Sequence, residues 1–109
     1  MSLVKLDDYT QFKELVESTN KLFLLKNSTT CPVSTEAFNE FKKFSDENEG
    51  ETFYYLNVQD ARPLSNQIAE DYQVKHESPQ VLLFSNGAVS WHDSHWKVTS
   101  KLLTEVWSK

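Results

Sequence analysis

The feature that most constrains the fold of this chain is a set of three short apolar runs separated by amphipathic stretches. Lys21–Lys26 (KLFLLK) and Gln80–Ser85 (QVLLFS) have continuous apolar cores, and Thr52–Val58 (TFYYLNV) is rich in aromatic and β-branched residues. Runs that are apolar on both faces are typical of strands in the centre of a parallel sheet. The sequence therefore predicts an α/β fold, in which a mixed central sheet is flanked by helices.

The stretches between these runs carry apolar residues at helical spacing. Helices are expected from a cap at Asp7–Asp8 to Thr19–Asn20, from about Cys31–Pro32 to about Glu47, from Pro63 through Tyr72, and from about Lys97 to Trp107. Asn86-Gly87 is a strong hairpin signal, so Ala88–His92 should fold back antiparallel to the preceding strand. Ser2–Lys5 is a candidate edge strand at the start of the chain.

Size and charge limit the classes of function. The chain has 109 residues, enough for one domain over residues 1–109 that needs no metal or disulfide to fold. Its net charge of −5 disfavours a nucleic-acid partner, because an acidic surface repels phosphates. No apolar run reaches the length of a membrane span and no export signal begins the chain, so we expect no membrane association. The single cysteine fits a reducing cytoplasm. No metal site is expected, because one cysteine and three histidines lack zinc-ligand spacing.

Cys31 is the candidate nucleophile, because it lies between a buried strand and the start of a helix. Unpaired N–H groups and the helix macrodipole favour a thiolate at such a position. Pro32 suits the first turn, the Ser34 hydroxyl can hydrogen-bond the thiolate, and Lys26 at the strand end is expected to add a positive charge. A lone cysteine can instead be an inert hydrophobic residue, but the polar flank, which includes Thr30, indicates an exposed thiol.

The motif around the cysteine resembles that of a known family. Thr30-Cys31-Pro32-Val33-Ser34 (TCPVS) is similar to the redox motif of thioredoxin-fold proteins, and the proline after the cysteine is similar to that of glutaredoxins. With His76–Gln80 (HESPQ), the Asn86-Gly87 hairpin and the Ser94-His95 pair, the whole pattern resembles the monothiol bacilliredoxin family. The resemblance implies a thioredoxin-like fold and a thiol–disulfide oxidoreductase that removes bacillithiol from S-bacillithiolated client proteins. Bacillithiol would be a co-substrate, with no other cofactor.

The resemblance also assigns roles to individual residues. Ser34 replaces the second motif cysteine and no other cysteine exists, so an external thiol must release whatever Cys31 attacks. A cis bond between Ser78 and Pro79 would place that loop beside Cys31, although a trans proline at a strand start is the commoner arrangement. Ser94 and His95 are expected at the N-terminus of the last helix, where free N–H groups could hold a carboxylate of bacillithiol's malate part. The alternative there is a plain helix cap.

Two other classes of function remain open at this point. The first is an iron–sulfur carrier of the monothiol-glutaredoxin kind, although Pro32 replaces the glycine of the C-G-F-S motif of those proteins. The second is a redox-inert adaptor that uses a thioredoxin fold for protein contacts. A colourless protein isolated without oxygen would count against the first, and ordinary alkylation behaviour of Cys31 would support the second.

Overall fold

Strands and helices alternate through the chain as the apolar runs predict. The computed structural model describes residues 3–109. Its elements are β1 (Leu3–Lys5), α1 (Tyr9–Ser18), β2 (Lys21–Asn27), α2 (Pro32–Asp46), β3 (Phe53–Asn57), α3 (Arg62–Tyr72), β4 (Gln80–Ser85), β5 (Ala88–Ser94), a 3₁₀ turn (His95–Lys97) and α4 (Ser100–Trp107). The predicted edge strand is thus present as β1, while Ser2 lies outside the described residues.

The strands form one five-stranded mixed sheet in the order β1-β3-β2-β4-β5. Strand β2 is central, parallel to β3 and antiparallel to β4. Its residue Lys26 pairs with Gln80 at the start of β4, and Gln80 pairs with Ser94 at the end of β5. The segments that follow β2, precede β4 and follow β5 therefore lie at the same end of the sheet. These segments are the start of α2, the Ser78-Pro79 loop and the chain after Ser94.

The Asn86-Gly87 hairpin between β4 and β5 is confirmed. Asn86 has φ 52° and Gly87 has φ 85°, the left-handed values that a two-residue hairpin turn needs at both central positions. Asparagine and glycine adopt this conformation at the lowest cost, which is why the pair predicts the turn. Strand β5 continues to Ser94, two residues beyond the expected end at His92.

Two hydrophobic cores lie on opposite faces of the sheet. We call the first the α1/α3 core; it includes Leu6, Phe12, Val16, Leu22, Leu24, Leu56, Leu64, Ile68, Leu82 and Phe84. We call the second the α2/α4 core; it includes Phe23, Leu25, Ala37, Phe41, Phe44, Phe53, Val81, Leu83, Val98, Leu103 and Val106. Alternate residues of β2 enter alternate cores, as expected for a strand that is buried on both faces.

The prediction for the start of the last helix is wrong by three residues. Helix α4 begins at Ser100, because the Thr99 side chain caps it by accepting a hydrogen bond of 3.2 Å from the Leu102 N–H. His95 has φ 57° and starts a separate 3₁₀ turn over residues 95–97. Val98 is buried, so it continues the apolar pattern of α4 without belonging to the helix. In the described part of the chain, no helix is both long and apolar enough to cross a membrane.

Candidate active site

Cys31 is the N-cap residue of α2. It has extended backbone angles, φ −105° and ψ 123°, and Pro32 follows as the first helical residue, where its missing N–H costs no hydrogen bond. The backbone N–H groups of Ser34 and, to a smaller extent, Val33 lower the pKa of the Cys31 thiol. Partial burial opposes this shift. The first turn of α2 therefore stabilises the thiolate, as the position of Cys31 in the sequence predicts.

Ser34, in the first turn of α2, is completely buried. Its hydroxyl lowers the pKa of Cys31 by the smallest of the contributions. The Ser34 Oγ has no partner in hydrogen-bonding geometry among residues 3–109. A buried hydroxyl without a partner is unfavourable, and a thiolate on Cys31 would supply the missing acceptor.

Thr30 lies in the exposed loop that leads into Cys31, and a residue not expected from the sequence holds this loop. The Gln59 side chain, which follows β3, donates to the Thr30 Oγ1 at 3.2 Å and to the Ser28 Oγ at 2.8 Å. Its Oε1 accepts a hydrogen bond of 3.1 Å from the Thr29 N–H. No sequence signal identifies Gln59, because its partners are about 30 positions away along the chain.

Lys26 does not take the role expected for it near the thiol. Its side chain is completely buried on the α1/α3 side of the sheet, whereas Cys31 begins a helix on the other side. The Nζ donates to the Ser65 carbonyl oxygen at 3.0 Å and lies 3.4 Å from His76 Nδ1. Burial lowers the pKa of Lys26 to about 8. The prediction is wrong because the alternation of β2 directs residue 26 to the same face as Leu22 and Leu24.

The Ser78–Pro79 peptide bond is cis, which confirms the prediction. Pro79 is buried, and its carbonyl accepts a hydrogen bond of 3.0 Å from the His95 N–H. The Ser78 Oγ is also buried, with no partner in the described part of the chain. The sheet register places this loop at the end of the sheet where α2 begins.

Ser94 and His95 do not lie at the N-terminus of the last helix, so that part of the prediction is wrong, and their role towards a substrate carboxylate stays a prediction. Ser94 ends β5, and its hydroxyl donates to the Glu77 carboxylate at 3.0 Å. The first residue of α4, Ser100, donates its N–H to the Glu40 carboxylate at 2.9 Å. At the N-terminus of α4, the first N–H is therefore already bonded to a carboxylate of the protein itself.

A cleft of about 430 Å³ begins at Pro32, the neighbour of Cys31. It runs between the first turns of α2 and the chain before α4, and its lining includes Pro32, Val33, Glu36, Glu40, His95, Trp96, Val98 and Thr99. Trp96 is 71% exposed, the larger exposure of the two exposed large hydrophobic residues in the described part of the chain. His95 thus lines the same cleft as the first turn of α2, although it does not lie at the N-terminus of the last helix as expected from the sequence. Residues 3–109 contain no group of three or more potential metal ligands.

Comparison with known proteins agrees with this geometry. Residues 4–103 match the family model of the monothiol bacilliredoxin BrxC. A solved structure described as that of a proposed oxidoreductase with a thioredoxin fold is 39% identical in sequence, with a TM-score of 0.90, over 95% of this chain and 92% of that chain.

More distant thioredoxins share the fold alone. Thioredoxin of Malassezia sympodialis is 21% identical, with a TM-score of 0.75, over 99% of this chain and 93% of its own. Mitochondrial thioredoxin 3 of Saccharomyces cerevisiae is 19% identical, with a TM-score of 0.73, over 96% of this chain and 92% of its own. The family model covers most of the chain, and the structural match covers nearly all of it. The chain belongs to the monothiol bacilliredoxin family and has the thioredoxin fold of thiol–disulfide oxidoreductases.

Proposed function

We propose that this protein removes bacillithiol from S-bacillithiolated client proteins by thiol–disulfide exchange at Cys31. The observation that carries the proposal is the position of the only cysteine of the chain, at the N-terminus of α2, where backbone N–H groups lower its pKa. A thiol with a lowered pKa is ionised to a larger extent at neutral pH, and the thiolate is the form that attacks disulfides. A free thiol of this kind suits a reducing compartment, and we place the protein in the cytoplasm.

The first step is the attack of the Cys31 thiolate on the bacillithiol sulfur of the mixed disulfide. A bond forms between Cys31 Sγ and that sulfur, the client's disulfide bond breaks, and the client cysteine leaves as a thiolate that takes a proton from water. The cleft between Pro32 and Trp96 begins at the residue after Cys31, and its volume of about 430 Å³ is large enough for part of a small thiol. The buried Ser34 hydroxyl can donate to the thiolate before the attack.

The second step requires a thiol from outside the chain. Ser34 occupies the position where a dithiol protein carries its resolving cysteine, and no second cysteine exists. An external bacillithiol thiolate attacks the bacillithiol sulfur on Cys31, which releases bacillithiol disulfide and regenerates the Cys31 thiolate. Without that thiol each molecule reacts once and stops.

The experiment mixes a bacillithiolated client protein with this protein and follows both masses over time. We expect one bacillithiol mass to leave the client and appear on Cys31, with repeated turnover only after free bacillithiol is added. Cys31→Ser is the control that should leave the client modified. An adduct that never appears on Cys31, or equal release by Cys31→Ser, would refute the proposal.

A second variant tests the geometry of the motif. Ser34→Cys should allow an internal disulfide that expels bacillithiol and shortens the lifetime of the adduct on Cys31. An adduct lifetime equal to that of the unmodified sequence would mean that residue 34 does not reach the sulfur of Cys31.

A further inference from the structure

We propose that Gln59 is a positioning residue that sets the reactivity of Cys31 by fixing the loop before it. Its amide has one acceptor and two N–H donors. The acceptor binds the Thr29 N–H at 3.1 Å, and the amide nitrogen donates to the hydroxyls of Ser28 and Thr30 at 2.8 and 3.2 Å. One side chain therefore contacts each of the three residues that connect β2 to Cys31.

The loop has few other constraints in this structure. Thr29 and Thr30 are exposed, and Ser28 is half-buried. The contacts within the loop are long, because the Ser28 Oγ lies 3.5 Å from the Thr30 N–H nitrogen and 3.4 Å from the Thr30 Oγ1. Cys31 has no side-chain capping bond of its own. The direction from which the chain enters α2 thus depends on Gln59 more than on the loop itself.

Gln59 can act as a fixed point because its own backbone is anchored to the sheet. The next residue back, Val58, donates its N–H to the Asn27 carbonyl at 2.8 Å, at the end of β2. A tight turn follows, in which the Asp60 N–H donates to the Asn57 carbonyl at 3.0 Å. The Asn27 and Asn57 side chains are also joined by a hydrogen bond of 2.9 Å. Gln59 therefore links the hydrogen-bonded ends of β2 and β3 to the exposed loop before Cys31.

The link to reactivity is geometric. The N–H groups of Ser34 and Val33 lower the pKa of the thiol only while the Cys31 sulfur remains close to them. Cys31 has non-helical backbone angles, and its carbonyl accepts a hydrogen bond of 3.1 Å from the Thr35 N–H. Helix α2 therefore holds the residue on one side, and the preceding loop holds it on the other. If the loop is released, the sulfur spends less time near these donors and the pKa of the thiol moves back towards its ordinary value.

The test compares Gln59→Met with Gln67→Met in the full chain. Methionine has nearly the same length as glutamine but cannot form these hydrogen bonds. Gln67 is the matched control, because it is also exposed and its amide makes a single hydrogen bond of 2.8 Å, to Asp71 on the surface of α3. The readouts are the pH profile of Cys31 alkylation by iodoacetamide and hydrogen exchange of the Thr29 amide.

Gln59→Met should shift the midpoint of the alkylation profile upwards and reduce the alkylation rate at pH 7 by about threefold or more, with faster exchange at Thr29. Gln67→Met should change neither quantity. Gln59→Glu should restore slow exchange at Thr29, because a carboxylate accepts hydrogen bonds from the same N–H and from both hydroxyls. An unchanged midpoint in Gln59→Met, or an equal shift in Gln67→Met, would overturn the proposal.

This inference depends on the proposed function only in that Cys31 is the reacting group. Iodoacetamide reports the thiolate directly and involves no bacillithiol. If Gln59→Met shifts the alkylation midpoint as expected but the unmodified protein fails to remove bacillithiol, the result counts against the proposed function alone. If the unmodified protein removes bacillithiol but Gln59→Met leaves the midpoint unchanged, the result counts against the role of Gln59 alone.

Discussion

The two faces of the sheet differ in what they bury. In the α2/α4 core, Phe23 is surrounded by aromatic rings, including those of Phe41, Phe44 and Phe53, with centroid distances of 5.6 to 6.4 Å. The α1/α3 side buries the ammonium of Lys26 among polar groups of α3 and of the loop before β4. Cys31 is therefore supported by a helix that packs on apolar residues, and the buried cation lies across the sheet from that helix.

Among the described residues, the groups that favour the Cys31 thiolate are therefore N–H and O–H donors of α2, and the buried cation Lys26 is not one of them. The groups that shift the pKa of Cys31 all belong to the first turn of α2, apart from the opposing effect of burial. The charge of Lys26 acts instead on His76, whose pKa is lowered first by burial and then by Lys26 and Arg62, while Glu77 opposes the shift. The two faces should therefore respond differently to matched substitutions.

The largest expected effect comes from removing one aromatic ring on each face. Phe44→Ala and Phe12→Ala each delete a fully buried ring, so each should lower the free energy of unfolding by about 3 to 5 kcal/mol in urea titrations. Only Phe44 belongs to α2, so only Phe44→Ala should also shift the pH midpoint of Cys31 alkylation. The milder pair Phe44→Leu and Phe12→Leu should show the same contrast with smaller losses. Equal midpoint shifts for both positions would contradict the separation of the two faces.

Lys26→Met should remove a pH dependence of stability that belongs to the α1/α3 side. The pKa of Lys26 is about 8 in the folded protein, below its ordinary value of about 10.4 in the unfolded chain. Between these values the unfolded chain binds more protons, so stability rises with pH, by about 2 to 3 kcal/mol over the whole window. Below pH 8 both states carry the proton, and the full cost of burying the ammonium remains.

The measurement is the free energy of unfolding at several values between pH 7 and pH 10.5. The free energy of unfolding of the unmodified protein should rise with pH across this window, whereas that of Lys26→Met should lack this rise. The exposed residue Lys101 offers the matched control, since Lys101→Met should leave the pH dependence unchanged. Parallel curves for the unmodified protein and Lys26→Met would show that the buried amine has an ordinary pKa. The alkylation midpoint of Cys31 should not move in this variant.

Local sequence patterns predict the elements well, because a buried strand or helix face requires apolar residues at regular spacing in the sequence. The pattern KLFLLK predicts β2 to within one residue, and Asn86-Gly87 predicts the hairpin. The patterns do not show where a strand ends, and so they do not show whether a charged residue near its end is exposed or buried. Lys26 looks like the charged end of a strand, yet β2 continues to Asn27 and α3 covers the lysine.

The candidate site was predictable where it depends on neighbours in sequence. Cys31, Pro32 and Ser34 form one turn, so their arrangement follows from the start of α2. The contacts of Gln59 with the active-site loop join residues far apart in the chain, and a single sequence carries no signal for such pairs. The start of α4 was misplaced because Val98 is buried by tertiary packing and extends the apolar pattern beyond the helix.

The smallest expected effect, and the one whose sign separates the two faces, comes from two completely buried serines. Ser34 on α2 has no hydrogen-bond partner for its hydroxyl among the described residues, whereas the Ser65 Oγ on α3 lies 3.3 Å from His76 Nδ1. Ser65→Ala should therefore lower the free energy of unfolding by about 1 kcal/mol, because it removes a buried hydrogen bond. Ser34→Ala should leave it unchanged or raise it by up to about 1 kcal/mol, because it removes an unpaired buried hydroxyl.

For the pKa of Cys31 the order of the two variants should be reversed, with an effect of Ser34→Ala and none of Ser65→Ala. Ser34→Ala should raise the alkylation midpoint of Cys31 slightly, since the hydroxyl is the smallest of the groups that lower the pKa of this thiol. Ser65→Ala should leave the midpoint unchanged, because its hydroxyl lies on the far side of the sheet. Urea titrations and alkylation profiles of the two variants measure both quantities. A loss of stability in Ser34→Ala equal to that in Ser65→Ala would show that the Ser34 hydroxyl has a partner in the folded protein. The α2 face would then hold its thiol through a hydrogen bond already formed before the thiolate appears.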